Sequence, residues 1–400
     1  MTACVENPEA AFRYPEATLS GASLGYREGL PILSVAGSPD EIGRAVGELA
    51  VRPGERMTRY PDDSLRHFWL TGLRRPLLWM GHRLLRRAPT EYLAELDAMS
   101  AASGVDRDSL VLGNTLFDIK KLVACSAFLV EASRSRTGAP MLARNLDYPP
   151  HGYAHHYTLV TVYRPTGRKA FVSVGFPGLI GVLSGMNADG LALAVLEVFQ
   201  SRPFSGRLNL GGTPYAMLFR RILETCSTVD EARDQLQRAR RSTLFNLVVA
   251  DRRRVAVLEC TPRRVHERPA ESGATLCTNH FCLEHLQPIW VRDVYGTYSR
   301  HRALRQCERA GGTFGIADLH AALHAAGQDD TLQTMVFEPE SLRLHLAFGT
   351  LPASAGPLRT LDVAAMLGSP KDPQRSVMRS GSPLVPGNSH ESVAGESRPV

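Results

Sequence analysis

The chain has 400 residues, of which 44% are hydrophobic and 22% charged, with a formal net charge of +6. This is the balance of a globular protein long enough to bury a large core without staples. The charge is carried almost wholly by arginine, with lysine only at positions 120, 121, 169 and 371. No zinc finger or aromatic RNP box accompanies it, so nucleic acid is not an expected partner. Seven scattered cysteines are an odd count without the dense spacing of a disulfide framework. The opening residues lack a basic stretch followed by an apolar one, so a reducing cytoplasm is the expected setting. No run approaches the roughly 20 apolar residues of a membrane span.

In chain order, residues 1–124 read as helical. SPDEIGRAVGELAV offers Ser38 as N-cap and Glu41 as its capping-box partner. His67 to Leu85, HFWLTGLRRPLLWMGHRLL, alternates Trp69, Leu73, Leu77, Trp79 and Leu85 with Arg74, Arg75 and Arg83, and is interrupted at Pro76. The pattern suits a pair of core-packing helices with arginines toward water, or a surface lying on a membrane or a lipid substrate. TEYLAELDAMSAAS reads as a further helix ending near Gly104.

From Cys125 the pattern changes to strands: CSAFLVEA, PMLARNLDY, YTLVTVYR, AFVSVGF, IGVLSGM and GLALAVLEVF. Pro165-Thr166-Gly167 and Asn187-Ala188-Asp189-Gly190 are hairpin-type connections. Then come two helices, the hairpin LFNLVVA-DRRR-VAVLEC, the strand ATLCTNH, the helices YSRHRALRQCERA and IADLHAALHAA, and the hairpin TMVFEPESLRLHLAFG. Residues 125–368 thus read as a layered catalytic domain, and 369–400 as a disordered tail.

The chemistry centres on Cys125, where helical sequence gives way to strand. A cysteine between Ala124 and Ser126 reads by itself as a small buried hydrophobe. Its surroundings change that reading, because Arg144 and Asp147 lie 19 and 22 residues on and return toward it if the two strands pair. Charged groups in an apolar strand need a partner or a purpose.

From Gly37 to about Gly349 the chain resembles the acyl-coenzyme A:6-aminopenicillanic acid acyltransferase family of autoproteolytic N-terminal-nucleophile hydrolases. The matching pieces, in order, are GSPDEIGRAVG, NTLFDIKKLVACSAF, MLARNLDY, SGMNADGLAL, TNH, SRHRALRQ and TLQTMVFEPE. The resemblance implies an α+β fold: a four-layer αββα sandwich preceded by a helical propeptide segment, with cleavage between Ala124 and Cys125. The freed α-amine, of pKa about 7.7–8.0, would act as base for its own thiol. Carried over residue by residue, Arg144 would favour the thiolate and Asp147 would hold the amine. Asn187 and Asn279 would donate to the oxyanion. Arg300, or Arg302 nearby, would brace the site. The implied substrate is a small N-acyl compound, with acyl-coenzyme A or an amine acceptor as further partners, and neither cofactor nor metal is implied.

Other readings stay open on the residues alone. Cys277, His280, Cys282 and His285 form CxxHxCxxH, but four ligands within nine residues lack the long loop usual between the ligand pairs of a structural zinc site. A papain-like arrangement would pair Cys125 with a distant histidine, and none stands in a recognisable pattern. No GxSxG elbow is present. A non-catalytic lipid-binding protein on the same fold is the reading outside enzymes.

Overall fold

The computed structural model describes residues 11–119, 121, 124–202, 206–290 and 292–368. The expected disordered tail over 369–400 lies outside them.

The sixteen described strands form two sheets. The larger has ten: β1 (Ala17–Leu19), β2 (Ala22–Arg27), β3 (Leu30–Gly37), β6 (Leu159–Pro165), β7 (Phe171–Gly175), β8 (Ser184–Asn187), β9 (Ala192–Glu197), β10 (Phe245–Ala250), β11 (Val255–Cys260) and β12 (Val265–Pro269), in that spatial order. The smaller has six, in the order β13 (Ala274–Cys277), β4 (Ala124–Val130), β5 (Met141–Asp147), β14 (Thr331–Glu338), β15 (Arg343–Phe348) and β16 (Arg359–Asp362). All pairings are antiparallel except β3 with β6. The helices are α1 (Pro39–Val46), α2 (Glu55–Thr58), α3 (Tyr60–His67), α4 (Arg74–Leu85), α5 (Thr90–Ser103), α6 (Arg107–Ile119), α7 (Tyr215–Thr225), α8 (Val229–Arg238), α9 (Thr297–Arg309), α10 (Ile316–Ala325) and α11 (Val363–Leu367).

The layers follow from strand periodicity. β4 is buried along its whole length, so its pleat hands alternate side chains to different cores. Cys125, Ala127 and Leu129 join the core between the two sheets, where β9, β10 and β11 face β4 and β5. Phe128 and Val130 join a second core with Leu304, Leu319 and Leu323 of α9 and α10. On the far side, α7 packs on β8 and α8 on β11 and β12. The arrangement is the four-layer αββα sandwich implied by the resemblance.

Local signals explain much of this. The side chain of Ser38 accepts from the Glu41 amide and the Glu41 carboxylate accepts from the Ser38 amide, so the capping box forms as read. α5 stops at Gly104, whose φ of +78° is the left-handed backbone that glycine supplies cheaply. Pro76 does not interrupt the 67–85 segment: it lies in the first turn of α4, where a missing N–H costs nothing. The break falls earlier, at Phe68–Leu73, where Trp69 sits at φ +57°.

The helical reading of residues 1–124 fails over 17–37. This stretch forms β1, β2 and β3, and the parallel pairing of β3 with β6 adds them to the larger sheet. β3 was legible, since LPILSVAG is an apolar run bounded by turn residues. α5 is pinned equally firmly. Arg220 on α7 makes two bonds to Glu95, of 2.8 and 2.6 Å, and Tyr92 donates to Glu224 at 2.6 Å.

Candidate active site

Strand register assembles the site. Cys125 stands opposite Leu146 on β5, so Arg144 is its diagonal neighbour on the same face. One Arg144 guanidinium nitrogen, Nη2, lies 3.3 Å from Cys125 Sγ and donates to the Val195 carbonyl on β9 at 2.8 Å. Its Nε and Nη1 are buried without a hydrogen-bond partner among the described residues. On the other side, β13 pairs with β4 and ends with Cys277 opposite Ala127. Two residues on, the Asn279 side chain reaches Cys125, and its Oδ1 accepts from the Cys125 backbone nitrogen at 2.8 Å.

Arg300, in the first turn of α9, closes the site. It donates to the Cys125 carbonyl and, at 2.7 Å, to Asn279 Oδ1. Asp147 ends β5 opposite Ala124, accepts from the Thr331 hydroxyl at 2.6 Å and lies 3.7 Å from Arg300. Arg302, the alternative for the late arginine, is exposed. Arg300 is therefore the one that enters.

Two expectations made for a cleaved enzyme differ from the contacts of the unbroken chain. Asn187 is not among the grouped residues. Both its amide hydrogens go to backbone carbonyls of Leu223 and Cys226, at 2.9 and 2.7 Å, and its oxygen accepts from Asp189 and Leu191. It is the turn-former that an N-x-D-G sequence suggests. Asn279 meets Cys125 through its oxygen, while its Nδ2 donates to the Glu197 carbonyl at 2.8 Å. In the unbroken chain it is thus the Asn279 oxygen that accepts from the Cys125 backbone nitrogen.

Glu197 is the residue sequence reading passed over. It ends β9, is fully buried, accepts from the Tyr215 hydroxyl at 3.0 Å, and its charge acts on the thiol. The signal was present: one carboxylate in the apolar run GLALAVLEVF needs a purpose as much as Arg144 does.

Burial dominates the electrostatics. It pushes the Cys125 thiol up to about 12, with Arg144 pulling it down and Asp147 and Glu197 pushing the same way as burial. Asp147 is raised from 3.8 to about 6, again by burial first, with Arg300 and Thr331 opposing. A carboxyl whose folded pKa is raised stabilises the fold fully below its unfolded value and loses that contribution as pH rises through the folded one. In a Cys125→Ala background, adding Asp147→Asn is therefore expected to remove on the order of 3 kcal/mol of stability loss between pH 4 and 7. Urea unfolding across that range reads it, and identical slopes with and without Asp147→Asn would refute it.

A cavity of about 540 Å³ opens beside the site, lined by Asp118, Lys121, Phe199, Arg207, Arg292 and Tyr295 among others. A small adjoining pocket shares Phe199, Gln200, Arg292 and Val294 with it and reaches Asn279. Tyr295 also gives its carbonyl to Arg300 Nε at 3.1 Å.

The family model for acyl-coenzyme A:6-aminopenicillanic acid acyl-transferase matches residues 134–350, more than half of the chain. The chain belongs to this family. Arg144, Asp147, Glu197, Asn279 and Arg300 lie inside the matched span, and Cys125 stands nine residues ahead of it. An uncharacterized protein of Archaeoglobus fulgidus is 24% identical over 264 residues, 58% of this chain but only 42% of that relative. Among solved structures, the Caenorhabditis elegans ortholog of N-acylethanolamine-hydrolyzing acid amidase is 17% identical. That match covers 60% of this chain and 99% of the other, at a TM-score of 0.44. Penicillin V acylase from Agrobacterium tumefaciens is 14% identical, with 60% and 86% covered and a TM-score of 0.40.

Proposed function

We propose that the chain is a self-cleaving N-terminal-nucleophile enzyme that transfers the acyl group of a small N-acyl amide through a thioester on Cys125. The observation that carries this reading is the pair of contacts at one residue: Arg144 on the sulfur and Asn279 on the nitrogen of Cys125.

In the first step Sγ attacks the Ala124 carbonyl carbon. The C–N bond to Cys125 breaks, the thiol proton goes to the departing nitrogen, and water releases residues 1–124 from the sulfur. The new α-amine inherits the Asn279 contact and serves as base to its own thiol. In turnover the amine takes the thiol proton, Sγ attacks the substrate carbonyl, and the leaving amine departs with that proton. Water then completes hydrolysis, or a second amine completes acyl transfer. The same residues serve both outcomes, and with acyl-coenzyme A as donor the C–S bond breaks and the departing thiol takes that proton in place of an amine. No step calls for a cofactor.

The cavity supports a small-molecule substrate, since pockets of 300–1,000 Å³ suit such ligands. Its lining carries Lys121, Arg207 and Arg292 against Asp118, which favours an anionic group on the substrate. Denatured intact mass should show fragments of residues 1–124 and 125–400, while native mass stays undivided because β1–β3 and α5 remain built into the fold. A panel of N-acyl amides, with and without an amine acceptor, should give cleavage of those carrying a carboxylate on the amine side. An uncut but active protein would refute the mechanism.

A lipid contact through 67–85 belongs to the same proposal. No described helix is long and apolar enough to cross a membrane. Yet Trp69 is 93% exposed and Trp79 63%, beside Arg66, Arg74, Arg75 and Arg83. Exposed tryptophans flanked by cations suit an anionic bilayer surface. Replacing both tryptophans by alanine should cut sedimentation with phosphatidylserine vesicles about tenfold or more, and unchanged sedimentation would remove the contact.

A further inference from the structure

Behind the nucleophile, a second group of residues meets without a role in the chemistry above. His280 and Cys282 follow β13, and His301 projects from α9. The Cys282 sulfur lies 3.9 Å from His280 Nε2 and 3.9 Å from His301 Nε2, and one donor atom from each of the three falls within 4.8 Å of the others. This is not the set that the CxxHxCxxH spacing suggested. Cys277 is fully buried and turns its thiol to the Thr278 carbonyl at 3.6 Å, while His285 stacks edge-on against His266.

We infer that His280, Cys282 and His301 form a binding site for a zinc-class divalent ion, which ties the end of β13 to α9 directly behind Cys125. Two imidazole nitrogens at about 2.0–2.1 Å and a thiolate at about 2.3 Å from one tetrahedral ion stand roughly 3.5 Å apart. The observed sulfur–nitrogen separations therefore need to close by a few tenths of an ångström, and the two imidazole nitrogens, within 4.8 Å of each other, by up to about 1.3 Å. One thiolate with two imidazoles is a donor set suited to zinc.

The surroundings are also those of a ligand set. The other ring nitrogen of His280, Nδ1, lies 2.9 Å from the Thr297 hydroxyl and 3.1 Å from that of Thr278. Such a contact fixes the tautomer that leaves Nε2 free to bind a metal. Tyr298 stacks on the same ring at 4.1 Å. Cys282 and His301 are half-buried, so a water can take the fourth position. Burial raises the Cys282 thiol and Arg268 opposes it, so an ion has to displace the thiol proton as it binds. Arg268 is itself offset by Glu259, 3.2 Å away.

The consequence for the active site comes from chain position. His280 is next to Asn279 and His301 next to Arg300, and the Asn279–Arg300 bond of 2.7 Å is the one a metal clamp would hold. The ligands act as positioning residues and touch no reacting atom.

The test uses the full chain and cobalt(II), whose thiolate complexes absorb in the near ultraviolet. One equivalent should produce that band in the wild type and in Cys125→Ala, and zinc should displace it. Cys282→Ser should abolish the band, and His301→Gln should weaken binding about thirtyfold or more. Zinc should raise the thermal midpoint of the wild type and leave that of His301→Gln unmoved, which keeps the test open if Cys282→Ser folds poorly. Absence of the band in the wild type, or its persistence in a folded Cys282→Ser, would overturn the site. Because the readout is spectroscopic, its failure says nothing about the amidase reading, nor the reverse.

Discussion

Cys125→Ala should leave one unbroken 400-residue chain and lower amide turnover by about 10⁴-fold or more. One side chain supplies the nucleophile for both cleavage and turnover, so its loss stops both events together. The change removes a single sulfur from a fully buried position. Stability should fall by only about 1 kcal/mol, because a deletion of one heavy atom leaves a small cavity. Arg144 keeps its bond to the Val195 carbonyl and Asn279 keeps the Cys125 backbone nitrogen, neither of which needs the thiol. Electrophoresis, thermal melts and product analysis together check the prediction. Turnover within tenfold of wild type would place the nucleophile elsewhere, and a cut chain would place the scission chemistry elsewhere.

Arg144→Met is expected to shift the pH dependence of Cys125 alkylation by iodoacetamide upward by about 1–3 units, the usual influence of one adjacent cation. Burial already holds the thiol high, and Arg144 is the foremost influence against it. At neutral pH the rate should therefore fall about 10- to 1,000-fold, and Arg144→Lys, which keeps the cation, should retain most of it. An equal loss in Arg144→Lys would mean that Arg144 acts by placing its guanidinium bonds and not by its charge. The same variant should be more stable than the wild type, since Nε and Nη1 of Arg144 are buried with no partner among the described residues. Each such donor costs about 1–3 kcal/mol. A buried, under-satisfied cation beside a nucleophile is the kind of feature that function keeps at the expense of stability.

The sequence by itself determined the elements whose cause is local. The capping box at Ser38 and Glu41, the stop at Gly104, the hairpins at Gly167 and Gly190, and the strand pair that brings Arg144 beside Cys125 all follow from propensity, turn chemistry and a period of two. The resemblance then supplied the family and the layered fold. Tertiary structure decided what depends on partners remote in the chain. It placed β1–β3 at the edge of the larger sheet through one parallel pairing, which nothing within residues 17–37 specifies. It chose Arg300 over Arg302, because only one side of α9 faces the Cys125 carbonyl. It turned Asn187 into a structural residue by spending both amide hydrogens on the end of α7, and it recruited Glu197. It also exchanged Cys277 and His285 for His301, 19 residues beyond Cys282. A hydrogen bond or a ligand set is fixed by where side chains converge in space, and spacing along the chain records that only within a single turn or strand pair.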